Sequence, residues 1–422
     1  LKNIALGDTR GTLLVHLDRC KTSLGRRKMR NWLLHPLMSV EDILKRQQSA
    51  SFLAGDDFLL SDLSDALEGV KDLERLAARC SYGSATPRDM GAMRDTLARL
   101  PLIHTVFEGK TIPPFLTDSL SELDTFGELF DALNCALVDQ PPVHSREGGM
   151  IREKYNADLD ELKDLCSGGR RWISSMQETE REKTGIKNLK IGYNRVFGYY
   201  IEVTRSNADK VPDDYIRKQT LVNSERYITP SLKEMEEKVV TAQEKIYALE
   251  HALFEKLRQR VNECLPSLLK ASGAVAKIDA IASFAQLARE HGYIFPTVNE
   301  SGEIRIVKGR HPTVETLTFD FVPNDVCLDV DKNRTVIVTG PNMSGKSTYM
   351  RQIAHITIMA QMGAPVPAEF ASLGVVDRVF TRVGAFDDLV HGQSTFMVEM
   401  TELANILNCA TSKSLIILDE IG

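Results

Sequence analysis

The sequence predicts a multidomain protein in which mostly α-helical arms carry a small antiparallel β insert and lead into an α/β domain. Three observations predict this class. Apolar residues recur at helical spacing through most of residues 12–290, and a run of β-branched and aromatic residues interrupts them at 189–204. A short apolar run at 334–339 then leads into a glycine-rich loop. With 422 residues and 43% hydrophobic content, the chain can build more than one packed core.

The bulk composition is that of a soluble globular protein. Charged residues make up 26% of the chain, and no apolar run approaches the roughly 20 residues that span a bilayer. We therefore expect no membrane association, and the first residues lack the layout of a secretory signal. The seven cysteines are scattered without a Cys-x-x-Cys pair, so we interpret them as reduced thiols of a cytosolic protein. Because the net charge is −6, any nucleic-acid surface has to be local.

The helical regime is segmented and ends in a long arm. Between residues 63 and 76 apolar side chains recur at the i, i+3 and i+4 positions of a helix. Residues 231–270 predict one long helix, with Pro230 near its start and Pro266 near its end. A helix of about 35 residues is about 50 Å long. That length suits a lever better than a compact domain.

The insert differs from the helical arms in residue type and in charge. Residues 189–204 partly alternate and are rich in β-branched and aromatic side chains, which predicts short antiparallel strands. Between 187 and 233 the chain carries nine basic and five acidic residues. The insert is therefore locally positive inside an acidic chain.

The last regime begins near residue 291 and alternates strands with helices, which indicates an α/β domain. Its first strand is of the buried parallel kind, because it is continuously apolar. Strands are predicted at 334–339, 375–383 and 414–418, and helices at 346–362 and 398–410.

The glycine-rich loop fits the pattern G-x-x-x-x-G-K-[ST] between a predicted strand and a predicted helix. Its glycines let backbone N–H groups turn inward around phosphates, and the helix N-terminus adds its positive end. Lys346 then reaches the β and γ phosphates, and the Ser347 hydroxyl is a ligand for magnesium. The alternative is a chance match in a turn. The predicted nucleotide-binding residues are Gly340, Pro341, Asn342, Met343, Ser344, Gly345, Lys346, Ser347 and Thr348.

Two acids at the end of the last predicted strand complete the candidate site. The run Leu-Ile-Ile-Leu before Asp419 and Glu420 predicts a buried strand with carboxylates at its C-terminal end, where ligands bind in open α/β sheets. Asp419 is expected to hold magnesium, and Glu420 to polarise the attacking water. Many strands end in solvated acids, so a functional role for this pair is favoured mainly because it follows a glycine-rich phosphate-binding motif.

A polar loop that contains glycine, at 380–394, lies between these two motifs and opens an amphipathic helix. Ser394 and Thr395 could cap that helix, or the exposed helix N-terminus could hold a phosphate. The local sequence does not choose between these roles.

Together these motifs resemble the MutS family of DNA mismatch repair ATPases. The resemblance rests first on Thr-Gly-Pro-Asn-Met-Ser-Gly-Lys-Ser-Thr-Tyr-Met-Arg-Gln at 339–352, then on Gly-Gln-Ser-Thr-Phe-Met-Val-Glu-Met at 392–400 and Leu-Asp-Glu-Ile-Gly at 418–422. Further segments are similar to the family's entry into the ATPase domain, to its DNA clamp and to the start of its core domain. These are 308–315, 217–228, and 18–25 with 32–36.

The resemblance assigns a role to each candidate in the nucleotide site. Ser394 is implied to reach the nucleotide of a partner subunit, as the signature of ABC-type ATPases does, which makes it catalytic with Lys346 and Glu420. Phe321 and Val322 are similar to the pair that packs against adenine, although Phe321 by itself would be interpreted as a core residue. The implied cofactors are ATP and Mg²⁺.

By the same resemblance, the helical arms and the β insert are a lever and clamp around double-stranded, preferentially mismatched DNA. Backbone contacts, which are independent of base sequence and weakened by salt, are expected from Arg195, Arg217, Lys218 and Asn223. Each basic residue could equally be a solvated surface charge, and Asn223 could be an end cap. The implied domains are a helical core/lever domain (1–169), the DNA clamp (170–229), the returning lever arm (230–291) and a truncated P-loop ATPase domain of the ABC type (292–422).

Two parts of the family pattern fall outside the sequence. The mismatch-reading and connector domains would precede Leu1, and the continuation of the ATPase domain would follow Gly422. We therefore expect an internal fragment that binds nucleotide but hydrolyses it poorly. Phe126 and Glu128 have the Phe-x-Glu spacing of the mismatch reader, but they lie in a helical stretch, and we interpret the match as coincidence.

The expected function is ATP-dependent recognition of DNA mismatches, with ATP binding and hydrolysis driving a clamp around duplex DNA. The other expected partners are an identical or related subunit and a downstream mismatch repair factor. The expected location is the cytoplasm, or the nucleoid in a prokaryote. The alternatives are a paralogue that acts on recombination structures and a DNA-binding scaffold that does not hydrolyse ATP.

Overall fold

The chain divides into two compact units in a computed structural model, which describes residues 11–194, 198–318, 320–342, 344–383 and 395–419. The first unit contains residues 1–75, 95–125 and 266–422, and the second contains 76–94 and 126–265. The first unit is assembled from three stretches of chain, so its core joins residues from both ends of the sequence. The domain boundaries given above stay a prediction.

Helices dominate the described residues, as the apolar spacing predicts. The periodic side chains at 63–76 confirm that apolar residues at helical spacing face the core, because Leu63, Leu67 and Leu73 are all fully buried. In chain order the helices are α1 (Leu13–Leu17), α2 (Ser23–Leu34), α3 (Val40–Ala54), α4 (Asp57–Leu67), α5 (Leu73–Ser81), α6 (Pro87–Leu97), α7 (Leu100–Val106), α8 (Pro114–Ser121), α9 (Gly127–Ala136), α10 (Ala157–Thr184), α11 (Pro230–Glu263), α12 (Leu265–His291), α13 (Lys346–Met362) and α14 (Thr395–Cys409).

Helix α12 is buried on several sides and holds the start of α2 in place. The Asp279 carboxylate, which is 1% exposed, accepts hydrogen bonds from the backbone N–H of Lys21 at 3.0 Å and of Thr22 at 2.8 Å, and from the Thr22 hydroxyl at 2.6 Å. A Cβ atom at Gly25, in the first turn of α2, would overlap this carboxylate. Gly25 is therefore required by close packing rather than by its backbone conformation.

Two long helices, α10 and α11, pack against each other in the second unit. Gly169 lets them approach closely, because a Cβ atom there would overlap the Val239 side chain. Helix α11 has 34 residues and begins with Pro230 in its first turn, as predicted. The predicted end at residue 270 is wrong: α11 ends at Glu263, and Pro266 lies in the first turn of α12, where a proline costs no helix hydrogen bond.

The predicted antiparallel insert is confirmed as a four-stranded sheet in the second unit. Its strands are β1 (Lys190–Asn194), β2 (Gly198–Thr204), β3 (Ile216–Thr220) and β4 (Ser224–Ile228), in the order β1-β2-β4-β3. Ile201 and Val203 are buried on one face, opposite Tyr227 and Glu225 of β4. The sheet thus has one face packed in the unit and one more exposed, as antiparallel sheets commonly do.

The last part of the first unit contains a mixed sheet and a separate parallel pair. The remaining strands are β5 (Thr297–Asn299), β6 (Ile304–Gly309), β7 (Asn324–Leu328), β8 (Phe370–Gly374), β9 (Val379–Val383) and β10 (Leu415–Asp419). The mixed sheet has the order β5-β8-β6-β7, whereas β9 and β10 pair in parallel and are joined through α14. A parallel pair with a crossover helix is the α/β arrangement that the sequence predicts here.

Two strand predictions in this region need correction. The strand predicted at 375–383 is confirmed only in its second half, as β9, because residues 375–378 are not in strand conformation; β8, which precedes the predicted range, was not predicted. The buried strand predicted at 334–339 is wrong, since this segment has no strand partner among the described residues, and Val336 and Ile337 are 51% and 83% exposed. An apolar run forms a strand only where a neighbouring strand supplies hydrogen bonds, and β9 and β10 pair with each other instead.

Across the described residues, none of the helices combines the length and the apolar character that crossing a lipid bilayer needs. All seven cysteines are free thiols, which agrees with their interpretation as reduced.

Replacing Gly25 with alanine is expected to lower the free energy of unfolding by about 1–3 kcal/mol, because the added methyl group forces apart α2 and the Asp279 carboxylate. Urea denaturation measures this change. Gly273→Ala is the matched control: Gly273 lies inside α12 with open space around it, and the substitution should stabilise the protein by up to about 1 kcal/mol. Equal stability of both variants would contradict the packing argument.

Candidate nucleotide site and nucleic-acid interface

The glycine-rich loop turns directly into the N-terminus of α13. Gly345 precedes the helix with a φ of 91°, a left-handed conformation that favours glycine. No described side chain caps this helix, so its first N–H groups stay available for a ligand. A Cβ atom at Gly340 would lie 3.1 Å from the Ser344 hydroxyl oxygen, which shows how tight the turn is. An uncapped helix N-terminus beside a tight glycine turn fits a chain of phosphates.

Lys346 places its positive charge across this loop. Its ammonium group donates hydrogen bonds to the backbone carbonyls of Gly340 at 2.9 Å and Pro341 at 3.0 Å. Ser347 and Thr348 are half-buried in the same first turn, and Asn342 is exposed on the loop. Of the predicted loop residues, only Met343 lies outside the described residues. The donors and the charge that a triphosphate needs therefore converge at one point.

Asp419 is the last residue of β10 and is 7% exposed. Strand β10 packs against α13, so this carboxyl group belongs to the same substructure as the glycine-rich loop. Its partner in the parallel ladder is Val383 of β9. Glu420 and Ser394, the other predicted catalytic residues, lie outside the described residues.

The proposed base-packing pair lies just before β7. Phe321 is half-buried and Val322 is 73% exposed, so neither is a core residue. The Asn324 side-chain amide donates to the Val322 carbonyl at 2.9 Å. One contact that the sequence did not predict ties this region to α13: the Tyr349 hydroxyl donates to the backbone carbonyl of Asp325 at 2.9 Å.

His311 packs on His355, which belongs to α13. His311 and His355 have ring centroids 4.8 Å apart in an edge-to-face arrangement. Burial lowers the pKa of His311 to about 4 and that of His355 to about 3, and the nearby Arg351 charge adds to both effects. Both rings are therefore neutral near pH 7, and they add no charge to the electrostatics of the helix that carries Lys346.

Arg217, a predicted DNA contact, is already engaged in the β insert. It pairs with Glu225 on the neighbouring strand β4 at 3.5 Å. A hydrogen bond from Tyr227 and the Arg217 charge hold the pKa of the Glu225 carboxyl below its usual value. Glu225 thus stays ionised and offsets part of the Arg217 charge.

Lys218 differs from its neighbour because it lies in a β-bulge. The register between β3 and β4 shifts between Arg217 and Gln219, and Lys218 is exposed and forms no ion pair with a described residue. Asn223 lies in the turn between β3 and β4, where its backbone carbonyl accepts from the Arg205 N–H at 3.2 Å. Arg195 lies outside the described residues.

Arg226 is a basic residue of the insert that sequence reasoning did not single out. It donates to the Glu202 carboxylate at 3.0 Å and to the Gln219 side-chain oxygen at 2.9 Å, and its guanidinium lies 4.3 Å from the centre of the Tyr200 ring. These contacts cross three strands. Arg226 therefore fixes the sheet, and the cross-strand pairing is the signal that sequence alone does not supply.

A buried glutamate of α11 attaches the insert to that helix by a hydrogen bond. Glu236 is 6% exposed and accepts a hydrogen bond from the backbone N–H of Tyr199 at 3.0 Å. A Cβ atom at Gly198 would overlap this carboxylate, so the start of β2 lies directly on it. Helix α11 therefore fixes the position of the sheet and of its exposed face.

Two family models match the chain. Residues 1–285 match MutS domain III, and residues 336–422 match MutS domain V. The chain belongs to the MutS family. The β insert falls within the domain III match of this MutS chain, and the glycine-rich loop and Asp419 fall within the domain V match.

Several proteins named DNA mismatch repair protein MutS are similar along the whole chain. The protein from Halothermothrix orenii is 49% identical over 414 residues, which cover 98% of this chain and 46% of the relative. Those from Methanosarcina barkeri and Alkaliphilus metalliredigens are each 47% identical over 100% of this chain, which corresponds to 47% and 49% of their own lengths. The chain thus spans about half the length of these curated MutS relatives.

Proposed function

We propose that this MutS chain binds ATP with magnesium at residues 340–348 and that this binding controls a clamp on mismatched duplex DNA. The observation that carries the nucleotide part is the convergence of the Lys346 ammonium, the tight glycine turn and the uncapped start of α13. The names of the relatives support the mismatch-repair part and favour it over a role in recombination.

The proposed division of labour follows from the chemistry of each side chain. Lys346 and the N–H groups at the start of α13 bind the phosphates, and the Ser347 hydroxyl and the Asp419 carboxylate hold magnesium. When bound, the metal supplies positive charge that offsets the charge of the phosphates. Phe321 and Val322 pack against the base. Glu420 is the general base, and Ser394 acts on the nucleotide of a second subunit.

Residues 292–422 are proposed to be part of an ATPase domain of the ABC type, with α13 and the parallel pair β9–β10 next to the nucleotide. The sheet of β1–β4 is the proposed DNA clamp, with Lys218, Arg217, Asn223 and Arg195 contacting the backbone. An identical or related subunit and a downstream repair factor are the proposed protein partners, and the proposed location is the cytoplasm.

Replacing Lys346 with alanine is expected to weaken ATP binding by at least about tenfold, because a charge-assisted contact to the phosphates is lost. Isothermal titration calorimetry with ATP and Mg²⁺ measures the affinity. Lys413→Ala is the control, since Lys413 is an exposed lysine in the same unit. If the wild-type chain does not bind ATP, or if Lys346→Ala binds it as tightly, the proposed nucleotide site is refuted.

Lys218 and Arg217 provide a matched pair for the proposed clamp. Each phosphate contact contributes about one unit to the slope of log affinity for duplex DNA against log salt concentration. We expect Lys218→Ala to reduce the magnitude of this slope by about one, because Lys218 has no ion partner among the described residues. Arg217→Ala should lower it less, because Glu225 already offsets its charge.

Fluorescence anisotropy with a labelled duplex over a series of salt concentrations gives these slopes. Lys413→Ala, in the other compact unit, should leave the slope unchanged. An unchanged slope for Lys218→Ala would remove Lys218 from the DNA interface.

A further inference from the structure

The segment before β7 contributes two neighbouring apolar residues to the surface without belonging to a strand. Phe321 is half-buried, Val322 is 73% exposed, and residues 321–323 have no regular secondary structure. Such a segment can pack against a flat apolar ligand only if something fixes its distance from the site that holds the rest of the ligand. Strand β7, which begins at Asn324, is the nearest rigid element.

A side-chain hydrogen bond links strand β7 to α13. Among the described strands it lies at the edge of the mixed sheet, so one side of its backbone is free of ladder hydrogen bonds. The Tyr349 hydroxyl donates to the Asp325 carbonyl at 2.9 Å. On the other side, the Asp325 carboxylate accepts from the backbone N–H of Lys308 at 2.8 Å, where the register between β6 and β7 shifts. Asp325 is therefore held from two sides.

Tyr349 stands three residues after Lys346 in the first turn of α13, and burial raises the pKa of its hydroxyl, which stays protonated and able to donate. One turn further along the helix, Gln352 packs under Gly309, where a Cβ atom would lie 2.6 Å from the Gln352 amide nitrogen. The two side chains hold the same irregular part of the β6–β7 pair. Gln352 does so by packing, and Tyr349 does so by a directed hydrogen bond.

We propose that Tyr349 is a positioning residue that fixes the distance between the base-packing residues Phe321 and Val322 and the phosphate-binding loop. Tyr349 itself does not contact the nucleotide. It fastens β7 to the helix that carries Lys346. Because β7 begins shortly after Phe321 and Val322, this contact sets the distance between these two residues, which we call the base seat, and the phosphate-binding loop, so that a base and a triphosphate are bound together. This inference rests on the proposed nucleotide site and deepens it.

The test compares the affinities of the whole chain for two ligands, each with Mg²⁺. ATP contacts both the base seat and the loop, whereas inorganic tripolyphosphate contacts the loop alone. Tyr349→Phe removes only the hydroxyl and keeps the ring in place. We expect it to weaken ATP binding by between about twofold and tenfold, the usual effect of losing one hydrogen bond, and to leave tripolyphosphate binding unchanged. Tyr82→Phe, at a tyrosine that is 86% exposed, is the control and should change neither.

The outcomes separate this inference from the proposed function. If the wild-type chain binds neither ligand, the nucleotide site itself is refuted. If the wild type binds both and Tyr349→Phe weakens ATP and tripolyphosphate equally, or changes neither affinity, Tyr349 does not position the base seat. Thermal unfolding of the variant checks that its fold is retained, which makes an effect confined to ATP a property of the site.

Discussion

The side chain of Gln361, near the end of α13, joins three segments that are far apart in the sequence. Its amide nitrogen donates to the carbonyls of Leu37 at 2.9 Å and Val376 at 3.0 Å, and its amide oxygen accepts from the Val376 N–H at 3.0 Å. The Leu37 N–H donates in turn to the Gln361 carbonyl at 2.9 Å, and Arg46 donates to the Met362 carbonyl at 3.1 Å. Because Gln361 is buried, losing any of these bonds would leave a polar group unsatisfied.

Together with the contacts of its first turn, this network connects α13 to other segments at both of its ends. Its C-terminal end is bonded to the turn before α3, and its first turn carries Lys346 and the link from Tyr349 to β7. A helix of 17 residues is about 25 Å long, and we expect its two ends to move together because it is a continuous packed helix. Between these two ends, the neutral His311 ring packs on His355 of the same helix. A ligand held by the glycine-rich loop therefore acts on an element that is hydrogen-bonded to the helical part of the first unit.

Local patterns predicted the elements of this region better than its contacts. Helix α13 begins and ends at the predicted residues, since a glycine before the helix and Gly363 after it mark both ends in the sequence. The apolar run at 334–339 was wrongly predicted as a buried strand, because apolar content does not say whether a neighbouring strand is present. The positions of Lys346 and Asp419 at element ends were predictable by motif. The roles of Tyr349 and Gln361 were not, because their acceptors, Asp325 and Leu37, lie far away in sequence.

The most direct test of a rigid connection through α13 is amide hydrogen exchange with and without ATP and Mg²⁺. The Leu37 amide is the best probe, because its hydrogen bond ends on the Gln361 carbonyl, at the opposite end of the helix from the glycine-rich loop. If nucleotide binding is transmitted through α13, exchange at Leu37 and Val376 should slow together with exchange in the loop. Slower exchange confined to residues 340–349, with Leu37 and Val376 unchanged, would contradict the account.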